Sequence, residues 1–310
     1  MGINLSSHGM NVPYNRCHES PRVDIAGRRL RYHWILRSRF YPLPTTVPMF
    51  PIRDSIPSRS ISFVNYAVLA ICSFAFFAQL SGGDQGQSLA ERYGMVPLRL
   101  TRPDEAAVMT IREAVQTPAG IMVQEREHTL APAALPPWLT LVSSMFLHGG
   151  WMHFLGNMWF LFVFGDNVED RFGHFGYTLM YLATGIIAAL SHLFTNALSP
   201  VPTIGASGAI AGVMGAYLVL YPHSRVQAFF PPLFMFVLPA PIFLGIWFVI
   251  QTVSGVSSMG GGAATGVAWW AHIGGFVAGA VLAIVIRNTS LGRPEVKAHR
   301  SFVDDGAGVL

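Results

Sequence analysis

Long apolar runs separated by short polar or glycine-rich breaks dominate the chain from residue 61 onward. A helix needs about 20 mostly apolar residues to cross a bilayer. Six segments meet or approach that length: 61–80, 151–168, 176–198, 207–221, 228–253 and 266–286. The fourth is short and begins just after Gly205-Ala206. Pro239 and Pro241 should bend the fifth or break its early turns, because proline removes a helix donor and clashes with the preceding turn. The pattern predicts an all-α membrane protein built as a six-transmembrane-helix bundle.

The remaining polarity divides the chain into regions. Residues 1–60 are rich in Arg, Pro and Ser and predict a basic, mostly disordered cytoplasmic tail. They lack the short apolar core of a secretory signal. Met49 opens Met49-Phe50-Pro51-Ile52-Arg53-Asp54, a plausible alternative start, so residues 1–48 are expected to be dispensable. Residues 61–288 form the membrane domain and 289–310 a short cytoplasmic tail. The first outer loop, about 82–150, is too long for a bare connector. Segments 105–115 and 136–147 within it are expected to be short helices lying at the interface.

Charge sets the orientation. The chain has 310 residues, of which 52% are hydrophobic and 12% charged, about half the charged share of a soluble domain. Nine of the 20 Lys and Arg precede residue 60. Basic residues flanking apolar helices mark the cytoplasmic side and an anionic lipid face. No nucleic-acid motif accompanies them. Six spans return Arg287, Arg293, Lys297 and Arg300 to that same side, so both termini are expected to be cytoplasmic. Cys17 and Cys72 suggest neither a disulfide framework nor a metal site.

Polar groups inside membrane helices are costly and therefore candidates for function. Ser207 opens the fourth span within Gly205-Ala206-Ser207-Gly208. Helix N-terminal amides there favour negative charge. The plainer reading is a capping serine in a small-residue packing face. His272 lies in the first turns of the sixth span, and taken alone it reads equally as a hydrogen-bonded structural residue. The two argue for each other. Gly208 and Gly212 form one GxxxG, Gly275 and Gly279 another, and two such faces can pack backbone to backbone. Ser207 and His272 then meet at similar depth as nucleophile and base. His153 and Asn157, four apart, share a face of the second span and can donate to an oxyanion. They read alternatively as a polar packing cluster, or as part of a metal site with His148 and His272. The five-residue step from His148 to His153 fits that last option poorly.

Several ordered motifs resemble the rhomboid family of intramembrane proteases: Asn65-Tyr66, His153 with Asn157, Glu169-Asp170-Arg171-Phe172-Gly173, Gly205-Ala206-Ser207-Gly208, Gly245-Ile246-Trp247-Phe248 and Ala271-His272-Ile273-Gly274-Gly275. The resemblance covers about 61–288. It implies a rhomboid bundle and a serine endopeptidase with Ser207 as nucleophile and His272 as base, without an Asp. His153, Asn157 and the Ser207 backbone N–H would form the oxyanion hole. Gly275 and Gly279 would seat the sixth span on the fourth, and Glu169 would stabilise the cytoplasmic turn. The fifth span and the loop 255–265 would form a substrate gate and cap. The resemblance implies no cofactor or metal. It implies single-span membrane proteins as substrates, cut near the outer face and often after a small residue, within a lipid bilayer. A prokaryotic plasma membrane is the expected location.

Two positions depart from the family. Trp138 is followed by Leu139, where many members have Arg. Ala211 stands four residues after the serine, where some members have a Tyr against the histidine. The rival readings are a rhomboid-like pseudoprotease that binds membrane clients without cutting and a transporter. The transporter would want charged groups at mid-membrane, which the apolar runs lack.

Overall fold

The computed structural model describes residues 50–117, 120–230, 234–259, 267–289 and 292–293. The expectations for residues 1–49, for most of the tail after 289 and for 260–266 of the proposed cap lie outside them.

Among the described residues, four helices are long and apolar enough to cross a membrane: α1 (Phe63–Ser81), α5 (Trp151–Thr195), α7 (Ala240–Met259) and α8 (Trp269–Arg287). A shorter apolar helix, α6 (Ser207–Leu220), is buried along nearly its whole length. The 45 residues of α5 are two helices meeting at Gly173, whose φ of 69° and ψ of 164° are non-helical. Each half has about 22 residues and is about 33 Å long, matching the second and third apolar runs. Large apolar side chains such as Phe74, Phe162, Val249 and Val281 point outward from these helices. In water such faces would associate, whereas in lipid they are at home. The molecule is a helical membrane bundle.

The turn at Gly173 is tied to the start of α1. The amides of Val64 and Asn65 donate to the two oxygens of the buried Glu169 carboxylate at 3.0 and 2.7 Å. The first four amides of a helix lack internal acceptors, and a carboxylate both satisfies them and opposes the helix dipole. Asn65 then donates to Leu161 O, and Tyr177 OH donates to Asn65 Oδ1. Gly165 has no side chain because a Cβ there would collide with the Asn65 amide.

Three segments differ from the sequence expectation, and all are strands; the first is Phe50–Asp54, expected within the disordered tail but paired as β1. The fifth span does not begin at 228. Residues Arg225–Phe230 form β4 and Phe234–Pro239 form β5, and the helix starts only at Ala240. β4 pairs with β5 and, on its other side, with β1 (Phe50–Asp54). Aromatic and β-branched residues between paired prolines satisfy an apolar count but favour extended backbone. The helix also runs on to Met259, into the region assigned to the cap. The bundle is therefore not purely α.

In the loop expected to be the first outer one, the helix predicted over 105–115 is instead a strand. β2 (Val108–Thr117) pairs antiparallel with β3 (Gly120–Thr129) from Val108↔Thr129 to Thr117↔Gly120. Apolar Met109 and Ile111 alternate with polar Thr110 and Arg112, a period of two, not of 3.6. Segment 136–147 does hold short helical turns: 3-10 turns at Pro137–Leu139 and Ser144–Phe146 on either side of α4 (Thr140–Ser143). Ahead of the hairpin lie α2 (Asp84–Tyr93) and α3 (Pro97–Thr101).

Without a Trp-Arg motif, this loop is held by Arg99 and Glu91. Arg99 donates to Glu91 O at 2.6 Å and Ala131 O at 2.5 Å. The Glu91 carboxylate accepts from Ala131 N at 2.7 Å and meets His128 Nε2 at 2.8 Å. Burial lowers the Arg99 pKa and the nearby Glu91 opposes that shift. The loop is stitched to the bundle by Leu98 N donating to Ser199 O, Thr101 Oγ1 to Ala197 O and Gly205 N to Ser144 O.

Candidate active site

The site begins with how closely α6 and α8 approach. A Cβ on Gly275 would fall on Gly208 O, one on Gly279 on Gly212 O, and one on Gly215 on Phe276 O. The first two pairs advance together along both chains, so the helices run parallel. Gly208 and Gly212 open instead toward α5, where a Cβ would strike Ala188 and Thr184. Thus α6 is wedged between two neighbours, and its glycines serve different ones. Close backbone approach of this kind gives dispersion contact where lipid supplies no hydrophobic drive.

This packing brings the first residue of α6 beside the first turn of α8. His272 Nε2 lies 2.8 Å from Ser207 Oγ. On the other side of the ring, Nδ1 lies 2.7 Å from Gln251 Oε1, a buried side chain of α7. Nδ1–H therefore donates to Gln251, and the bare Nε2 accepts from the Ser207 hydroxyl. Trp247 of α7 and Trp269 of α8 flank the imidazole, with ring centroids 5.9 and 6.2 Å away. Ala211, where some relatives carry Tyr, is fully buried; the ring is held from α7 and α8 instead.

His153 approaches from the start of α5. Gly149 N–H donates to its Nδ1 at 3.3 Å, which leaves the ring proton on Nε2. That edge lies against Gly205, where a Cβ would stand 2.7 Å from both Cε1 and Nε2 and 3.6 Å from Ser207 Oγ. Gly205 also has a φ of +133°, a conformation that side chains resist. The residue is thus glycine for two reasons at once. Asn157, one turn along α5, donates its amide to His153 O at 2.9 Å. One of its two amide hydrogens is so engaged.

The turn before α5 is fixed by Gln79 of α1. Gln79 Oε1 accepts from His148 N at 3.0 Å, and its Nε2 donates to His148 O at 3.2 Å. The His148 ring is buried, 5.3 Å from that of His153. Burial first, then the His153 neighbour, pushes its pKa down to about 4, so it is neutral at pH 7. A cavity beside Ser207 is lined by small or flexible side chains, among them Met145, Gly185, Ala188, Ala189 and Ala268.

Ser207 and His272 are therefore in hydrogen-bond contact, and His153 stands close by. Sequence reasoning missed Gln251. Its available signal was a polar side chain in an apolar helix, four residues after Trp247 and so on the same face.

The arrangement sets a serine hydroxyl at the start of α6 against an imidazole nitrogen of α8. A family model described as the rhomboid domain matches residues 136–289. Rhomboid-like protein 11, chloroplastic, of Arabidopsis thaliana is 42% identical over 81 residues, covering 25% of this chain and 28% of that protein. Rhomboid protease GluP of Bacillus subtilis is 31% identical over 147 residues, covering 47% and 26%. Rhomboid protein 1, mitochondrial, of Saccharomyces cerevisiae is 28% identical over 151 residues, covering 46% and 40%. In each case the match spans less than half of the relative's own length.

Proposed function

The chain belongs to the rhomboid family, and from that premise we propose that it is an intramembrane serine endopeptidase using Ser207 and His272. The observation that carries the reading is the 2.8 Å contact between His272 Nε2 and Ser207 Oγ. A serine hydroxyl is a weak nucleophile until a base takes its proton, and a bare imidazole nitrogen at that distance is such a base.

Ser207 Oγ attacks the carbonyl carbon of the scissile bond as its proton passes to His272 Nε2. The developing oxyanion is stabilised by the Ser207 N–H, which lies in the first turn and has no intrahelical acceptor. His153 Nε2–H and the Asn157 amide are the proposed further donors. The tetrahedral adduct collapses as His272 returns the proton to the leaving nitrogen. Water, activated by His272 in the same way, then hydrolyses the acyl-enzyme. The small cavity beside Ser207 favours small residues at the cut. A helical substrate must unwind there to free its carbonyl, so residues such as Gly and Pro near the cut are favoured.

The proposed substrates are single-span membrane proteins, and α7 is the proposed gate. Six crossings are proposed: α1, the two halves of α5, and α6, α7 and α8, with both termini cytoplasmic and Ser207 near the outer face. The basic flanks support this orientation, and Arg287 reaches Val219 O at the opposite end of α6 from Ser207. The relatives include chloroplast, mitochondrial and bacterial proteins, so they do not favour the expected prokaryotic plasma membrane over an organelle membrane.

The test is cleavage of a single-span substrate by purified protein beside Ser207→Ala and His272→Ala. Each variant should lose at least about 10⁴-fold in rate, as removal of a nucleophile or its base does elsewhere. A Ser207→Ala protein that still cuts would refute the assignment. A folded parent that binds clients but cuts none would favour a non-cutting relative instead.

A further inference from the structure

Neutral histidine has two tautomers, and only one can serve Ser207. To accept the hydroxyl proton at Nε2, His272 must carry its own proton on Nδ1. Neither α6 nor α8 presents a carboxylate to enforce this, since neither has an Asp or Glu. The group that faces Nδ1 comes from a third helix: Gln251 Oε1 of α7, at 2.7 Å. A carboxamide can turn either its oxygen or its NH2 toward a neighbour. With the oxygen turned inward, Nδ1–H has an acceptor and Nε2 is left bare. With the NH2 inward, the proton would be driven to Nε2 and the contact with Ser207 would lose its base.

We propose that Gln251 is a positioning residue for the catalytic base, fixing the tautomer and the rotation of His272 from α7. This rests on the Ser207–His272 reading and adds a third member to it. Trp247, one turn earlier on the same face, supports the ring at 5.9 Å, so α7 holds the imidazole at two points.

The three helices differ in how freely they can move. α6 and α8 are locked by glycine-to-backbone contacts with no space for adjustment. The glycines of α7 make no such contact: a Cβ on Gly245 would meet nothing within 4 Å, and one on Gly255 would meet only side chains. A shift of α7 by the length of a hydrogen bond would free Nδ1 while leaving Ser207 and the His272 backbone in place. The base is therefore competent only while α7 is seated. A substrate admitted beside α7 must let that helix return before the hydroxyl can be activated.

Two variants and two readouts test the assignment. Gln251→Met keeps the length of the side chain and removes the acceptor. Gln251→Glu keeps an acceptor. The readouts are steady-state cleavage, resolved into kcat and KM, and the rate at which a small fluorophosphonate labels Ser207. The second requires neither a membrane substrate nor gate movement. One neutral hydrogen bond corresponds to up to about tenfold in rate. Gln251→Met should lower kcat and labelling together by about that factor with KM little changed, and Gln251→Glu should recover most of both. Labelling of Gln251→Met at the parent rate overturns the proposal. So does an equal loss in both variants, which would make Gln251 a packing residue, or a change confined to KM, which would assign it to substrate admission. If the folded parent is not labelled at all, the Ser207–His272 reading itself fails and the Gln251 role with it.

Discussion

Asp54 is a residue whose charge the fold controls directly. Its Oδ2 accepts from Asn167 Nδ2 at 2.8 Å and Tyr217 OH at 2.5 Å. Burial, opposed by the Tyr217 hydrogen bond and reinforced by Asp166, raises its pKa to about 7. A carboxyl held above its ordinary 3.8 binds its proton more tightly in the folded chain. Its stabilising contribution is complete below about pH 4 and is lost as pH rises through about 7. The melting temperature in detergent should therefore fall between about pH 5 and pH 8, and Asp54→Asn, which cannot ionise, should flatten that fall. Identical slopes in the two proteins would show that Asp54 does not carry it. At this scale the sequence was partly legible. Ser207, His272 and His153 announce themselves through glycine neighbours and helix starts. Gln251 does not, because a lone amide in an apolar run acquires meaning only from the ring opposite it. Asp54 is likewise silent until Tyr217 and Asn167 are folded against it.

Among the elements, α6 and α8 were readable because their glycines repeat every four residues, and repetition is what a helix interface leaves in a sequence. The interface is also unforgiving. A side chain at Gly279 must displace Gly212 O, which is backbone and cannot swing aside. Overpacking of this kind costs about 1–3 kcal/mol. Gly279→Val should accordingly unfold at lower temperature than the parent. It should also lose cleavage more than it loses stability, because the same displacement separates His272 from Ser207. A Gly279→Val protein of unchanged stability and activity would mean that the helices part without cost. The strands were misread for a definite reason. Length and apolarity identify a membrane helix only where nothing offers the backbone another partner, and β1 offers one to β4 from more than 150 residues away.

At the scale of the molecule, the 82–150 region is bound to itself through Arg99, which ties the backbone at residues 91 and 131 together. Replacing Arg99 with Ala would leave two carbonyls, Glu91 O and Ala131 O, without their charged donor. Each hydrogen bond to a charged group is worth about 1.5–3 kcal/mol. Limited proteolysis of Arg99→Ala should cut first within residues 95–134, with the membrane helices still protected. Equal resistance to the parent would place the anchor elsewhere. The sheet β1–β4–β5 has a consequence for biosynthesis. β1 is made before each of the described membrane helices, yet its partner, β4, follows only after residue 224. At about 5–20 residues per second, an emerging chain keeps that strand waiting for roughly 10–35 s. A ribosome that stalls in this interval leaves a nascent protein whose first strand has neither edge paired, whereas in the finished sheet β4 covers one of them.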